Sequence, residues 1–134
     1  MTTRALRVIL THVQDTYFAI GLDEIERVVP FEDHSHASLL RLPTDTTPLA
    51  SAQARKLAVL RPGAQGVALV LGAHVQVQNI QARHCVALPA WLMTHLPPGL
   101  HAACLTTSPL TWLVDPQALR LAHHRGIPCS STST

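Results

Sequence analysis

The sequence predicts an all-β fold with a few short helices, and three observations predict it. Apolar residues alternate with polar ones at period two in segments such as 4–13 and 74–80. A continuous apolar run, Val67-Ala68-Leu69-Val70-Leu71, is short enough to be a strand buried on both faces. Turn-forming clusters separate these segments, and many short strands between turns argue for a barrel or a sandwich.

Residues 4–13 place Leu6, Val8 and Leu10 on one face, and Gln14-Asp15-Thr16 supplies a turn. Residues 17–22 resume the β pattern, so the two runs read as an antiparallel hairpin. The acidic Asp23-Glu24 start is expected to form a short turn, followed by a strand over 25–29 stopped by Pro30. Residues 31–51, with Pro43, Pro48 and the Thr-Asp-Thr-Thr cluster at 44–47, read as an irregular loop, with a weak helical turn at 49–54. A second hairpin pairs 56–60 with 67–71 across a Pro-Gly connection.

Residues 74–80 read as a half-exposed strand with Val75 and Val77 on one face and His74, Gln76 and Gln78 on the other. A turn at 81–84, a short strand at 85–88 and a helical turn at 90–95 follow. A third hairpin pairs 100–106 with 110–114. Asp115-Pro116 then opens a helix over 117–123, because Asp suits the N-cap and Pro the first helical position. Residues 1–124 are expected to form one domain, and the Ser/Thr-rich 125–134 a disordered tail.

Composition narrows the function. Of 134 residues, 47% are hydrophobic and only 13% charged, which excludes an unfolded, charge-dominated chain and favours a neutral, partly apolar surface suited to a protein partner. The net charge of +2, with Lys56 the single lysine among scattered arginines, gives no nucleic-acid field. The N-terminus has no signal-peptide run, and the apolar stretch 67–77 is too short to span a bilayer, so a cytoplasmic protein without membrane insertion is expected. Cys85, Cys104 and Cys129 show no CxxC spacing; they read as small core or strand residues and a tail thiol, with one disulfide left open.

No nucleophile elbow, phosphate loop or dinucleotide glycine pattern occurs, and neither a catalytic residue nor a cofactor is expected. His84-Cys85 are strand neighbours pointing to opposite faces, so they do not make a thiolate–imidazolium pair. The nine histidines include His34-x-His36 beside Glu32 and Asp33, and the adjacent His123-His124. Zinc needs three or four converging ligands, and adjacent helical histidines point about 100° apart. The histidines therefore read as solvated surface residues, with a metal- or pH-responsive binding regulator as the alternative function. Trp112 reads as core packing and Trp91, in a Pro-bounded segment, as a binding hot spot.

The order of these segments resembles the CheW-like domain of chemotaxis adaptors. The carriers are Tyr17-Phe18-Ala19-Ile20-Gly21-Leu22 followed by Ile25-Glu26-Arg27-Val28-Val29, then the hairpin Lys56-Leu57-Ala58-Val59-Leu60 and Val67-Ala68-Leu69-Val70-Leu71-Gly72. Val86-Ala87-Leu88-Pro89, Gly99-Leu100 and Leu113-Val114-Asp115 continue it, so the match runs over most of 4–121. The Asn-Leu-Arg-Gly core found in most members is absent here, where only Leu42-Pro43 and Pro48-Leu49-Ala50 are similar to its flanks. This marks a divergent, shortened relative.

The resemblance implies two small SH3-like β-barrels sharing a core, the first of them incomplete. It also implies a non-enzymatic scaffold, in chemotaxis or type IV pilus motility, that binds a CheA-like histidine kinase, a chemoreceptor or another adaptor. Arg27, Val28, Val29, Phe31 and Trp91 are the candidate partner-binding residues, with the valines and Phe31 expected along the groove between barrels.

Overall fold

A computed structural model describes residues 5–31, 38–48, 54–61, 66–104 and 110–124. Residues 49–53 of the helical turn expected at 49–54, residues 62–65 of the following connection and the tail at 125–134 lie outside the described residues. Ten strands and two short helices follow in the order β1 (Ala5–Val13), β2 (Thr16–Gly21), β3 (Ile25–Pro30), β4 (Ser38–Arg41), β5 (Lys56–Leu60), β6 (Val67–Val70), β7 (Val75–Gln81), β8 (Cys85–Ala87), α1 (Ala90–Met93), β9 (Leu100–Cys104), β10 (Thr111–Val114) and α2 (Pro116–His124). Single 3-10 turns at Leu22–Glu24 and Ala82–His84 join β2 to β3 and β7 to β8.

The strands form two mixed sheets. One has six strands in the order β7-β1-β2-β10-β9-β8, the other four in the order β3-β5-β6-β4. The β1–β2 hairpin turns on two residues, Gln14 and Asp15, both at positive φ (49° and 65°), and Val13 pairs with Thr16 across it. Two consecutive left-handed residues match the right-handed twist of the strands, and Asp tolerates that region better than most residues. β10 returns parallel to β2, and β4 lies parallel to β6.

β4 corrects the expectation of a continuous loop over 31–51. Leu40 is buried in this strand and Leu42 just beyond it. A four-residue strand whose partner is parallel and distant in sequence carries no hairpin turn to announce it.

The principal core draws on both sheets. Ile9, Val13, Phe18 and Ile20 of the six-stranded sheet meet Ile25, Leu40, Ala58, Leu60 and Leu69 of the other, with Leu42, Leu71, Leu100, Val114 and Leu119 completing the cluster. β6 is buried on both faces, as its unbroken apolar run predicts, and β5 beside it is buried on both faces as well. Leu69 faces the principal core, while Ala68 and Val70 pack with Leu57 and Phe31 in a second cluster. β1 is also buried on both sides: Ile9 serves the principal core, and Val8 packs with Ala19, Ile80, Ala102, Cys104 and Leu113. In β7 the buried residue is Ile80, on the face of Gln76 and Gln78, whereas Val77 is 54% exposed. The strand is half-exposed as expected, but its apolar face is not the one that the valines mark.

Asp115 caps α2 as its sequence predicts, accepting the Gln117 N–H at 3.0 Å on Oδ1. The helix inserts Leu119 fully into the principal core, and Arg120 donates to the Arg61 carbonyl at 2.9 Å.

A polar junction holds the two sheets in register. Arg55 is nearly buried and donates to both carboxylate oxygens of Asp45, at 2.6 and 3.4 Å, and from Nε to the Leu71 carbonyl at 2.7 Å. Asp45 is 1% exposed and also accepts the Thr47 N–H at 3.1 Å. Next to Leu71, Gly72 donates its N–H to Thr11 Oγ1 of β1 at 2.7 Å. A Cβ on Gly72 would lie 2.2 Å from the His12 carbonyl oxygen, so no side chain fits there. On the outside, Gln14 of the β1–β2 turn exchanges hydrogen bonds with Thr46, donating to its hydroxyl at 2.9 Å and accepting its N–H at 2.8 Å.

Two predictions follow from the junction. Asp45→Ala strands a buried guanidinium and is expected to cost about 3–5 kcal/mol in urea denaturation, with Asp45→Ala/Arg55→Met recovering part of the loss. A loss below about 1 kcal/mol, within the usual range of exposed pairs, would count against it. Gly72→Ala is expected to cost at least roughly 1–3 kcal/mol because the strands must separate to admit the methyl group; unchanged stability would contradict the close approach.

Candidate functional site

The five candidate binding residues fall in four different settings. Arg27 is exposed on β3, with the Glu26 carboxylate 3.8 Å away. Val28 is 38% exposed and lines a groove of about 620 Å³. Val29 and Phe31 point to the opposite face of β3, where Phe31 is buried against Leu57, Ala68 and Val70 and Val29 packs beside it. Trp91 lies on α1, in a separate region of the sequence, and is 69% exposed.

The groove beside Val28 runs between the two sheets. β1 contributes Thr11 and His12, β7 contributes Val75 and Val77, and Lys56 and Tyr17 lie on its polar rim. His12 and Tyr17 are directly paired across β1 and β2, and their rings stack at 4.3 Å with an interplanar angle of 15°. Composition and spacing did not mark these two residues, because their pairing is set by the register of the hairpin. The groove offers an apolar floor and a cationic group at its edge, a surface that can seat a protein segment.

α1 is a single turn begun by Pro89, whose carbonyl accepts the Leu92 and Met93 N–H groups at 3.0 Å. The Thr94 hydroxyl donates to the Trp91 carbonyl at 2.8 Å and closes the turn. Trp91 and Met93 are both exposed, so this turn presents its apolar side chains to solvent. Trp112, by contrast, packs against the principal core as predicted.

A second cleft, of about 650 Å³, is bordered by Arg7, Asp23, Glu24, His101 and Asp115. Glu24 Oε2 is buried without a hydrogen-bond partner among the described residues. Burial, reinforced by the carboxylates of Asp115 and Asp23, pushes the Glu24 carboxyl above its ordinary value, against weaker opposing effects of the Gln117 hydrogen bond and the His101 charge. Asp115 is already engaged as the α2 cap, which makes it a structural member of this cleft.

No three His, Cys, Asp or Glu side chains converge as metal ligands among the described residues. His34 and His36 lie outside those residues, as do the side chains of His123 and His124. No helix among the described residues is long and apolar enough to cross a membrane.

The Glu24 environment makes a pH prediction. A carboxyl whose folded pKa is raised contributes stability that is complete below the unfolded value and lost as pH rises through the folded one. Glu24→Gln is therefore expected to be more stable than the parent at pH 7, with the gap closing below about pH 4. Thermal melts across that range test it; a gap that stays constant with pH, or a glutamine variant less stable at pH 7, would contradict it.

Comparison with known proteins bears on the fold. No family model matches the chain, and no curated protein matches it in sequence. Among solved structures, the scaffolding protein TtCheW from Thermoanaerobacter tengcongensis superposes with a TM-score of 0.57 at 11% identity, over 85% of this chain and 86% of that one. With ten strands in two mixed sheets and the segment order described above, the chain has a CheW-like fold.

Proposed function

We propose that this protein is a non-enzymatic adaptor of a chemosensory pathway, serving chemotaxis or type IV pilus motility. Its partners in this reading are a CheA-like histidine kinase, a chemoreceptor or another adaptor. The observation that carries the reading is the likeness to a scaffolding protein along nearly the whole of both chains. The surface agrees with it: low charge, an apolar groove at Val28 and an exposed tryptophan are what a protein-binding module presents.

An adaptor acts by linkage. Holding two partners on one rigid body raises the effective concentration of each near the other, and needs no chemistry at the site. In this reading Arg27, Val28 and Trp91 meet partners directly, while Val29 and Phe31 pack behind them with Leu57 of β5 and Ala68 and Val70 of β6 in the same sheet. The two barrels expected from the family would correspond to the six- and four-stranded sheets, with the principal core between them.

Affinity capture with the folded full chain, from cells that express it, is expected to recover a CheA-like kinase, a receptor or a second adaptor. Recovery of none of them would contradict the reading. With the captured kinase purified, Trp91→Ala is expected to weaken binding at least about tenfold in calorimetry while leaving stability within about 0.5 kcal/mol. Unchanged affinity would remove Trp91 from the binding surface.

A further inference from the structure

The β8–β9 ladder sets Cys85 directly opposite Cys104, and their sulfur atoms stand 3.1 Å apart. Both are free thiols. We propose that Cys85 and Cys104 form an oxidisable dithiol, a modification site that closes to an intramolecular disulfide on reaction with a small-molecule disulfide such as oxidised glutathione.

The backbone already meets the requirement. Directly paired residues of antiparallel strands have Cα atoms about 4.5–5.5 Å apart, within the roughly 4.4–6.8 Å that a disulfide spans. Closure needs the sulfurs to approach by only about 1 Å, to the usual bond length of about 2.05 Å. β8 is an end strand of its sheet and only three residues long, so it can yield that distance more easily than a central strand.

The two thiols are not equivalent. Cys85 is half-buried and its thiol reaches the Gln81 carbonyl at 3.8 Å, whereas Cys104 is 1% exposed and packs with Val8, Ala19 and Leu113. Burial, together with the neighbouring Cys85, pushes the Cys104 thiol up to about 12. Cys85 is thus the thiol that attacks. Its thiolate bonds to one sulfur of oxidised glutathione and expels a glutathione thiolate, which takes up a proton. Cys104 then attacks Cys85 Sγ and expels the second glutathione as its thiolate, which takes up the proton that Cys104 gives up. Two protein thiols become one disulfide, and one glutathione disulfide becomes two thiols. The bond would tie the edge strand across a sequence separation of 19 and fix the base of the segment that carries α1 and Trp91.

The test incubates the full chain with oxidised glutathione and maps it with chymotrypsin without reduction, since no Arg or Lys lies between the two cysteines. The expected product is a Cys85–Cys104 linked peptide, lighter than its parts by a pair of hydrogens, with Cys129 outside the link. Cys104→Ser should instead stop at a Cys85–glutathione mixed disulfide. A link through Cys129, stable glutathionylation of Cys85 beside a free Cys104 in the parent chain, or thiols that all stay reduced would each overturn the proposal.

Discussion

The contact on which the rest of this structure depends is the junction around Arg55, Asp45 and Gly72. Here a chain poor in charge buries an ion pair and places it where two sheets meet. A buried pair gains little net stability, because desolvation offsets most of its attraction. Its effect is on geometry. The guanidinium joins three separate pieces of chain: the 42–48 segment through Asp45, its own position just before β5, and the residue after β6 through the Leu71 carbonyl. One residue later the Gly72 amide reaches Thr11 of the other sheet. The principal core can then close across both sheets because their separation is fixed at this edge.

That arrangement explains which parts of the fold were legible from sequence. β1, β2, β5, β6, β9 and β10 are read correctly because each carries local information: alternation, an unbroken apolar run or a turn residue at the hairpin. The α2 start is legible because capping is chemistry between neighbours, Asp115 and Gln117. β4 is not legible, since its parallel partner β6 lies far along the chain. In the same way, the Asp45–Arg55 pair and the Cys85–Cys104 contact arise from residues ten and 19 positions apart, and the cysteines meet only through the register of β8 on β9. Within β7, Ile80 is buried from the polar-looking face because β1 pairs Leu6 against it, which alternation alone does not reveal.

The candidate surface shows the same division. Trp91 stands out by residue type and by its Pro-bounded segment, and it is exposed. Val28, Val29 and Phe31 are neighbours in sequence, yet β3 sends them to two faces, so a single run supplies both a groove wall and core packing. The groove's other wall, His12 and Tyr17, comes from a different hairpin. Under the proposed adaptor reading, apolar side chains are thus displayed on separate edges of a body whose two sheets share one principal core.

The claim that the two sheets form one cooperative unit locked at this junction is tested most directly by native-state amide hydrogen exchange. The Gly72 and Leu71 amides are predicted to exchange only through global unfolding, with the same free energy and denaturant dependence as Ile20 in one sheet and Leu69 in the other. Separate opening energies for the two sheets, or a Gly72 amide that exchanges through local fluctuation while both sheets stay protected, would contradict the account.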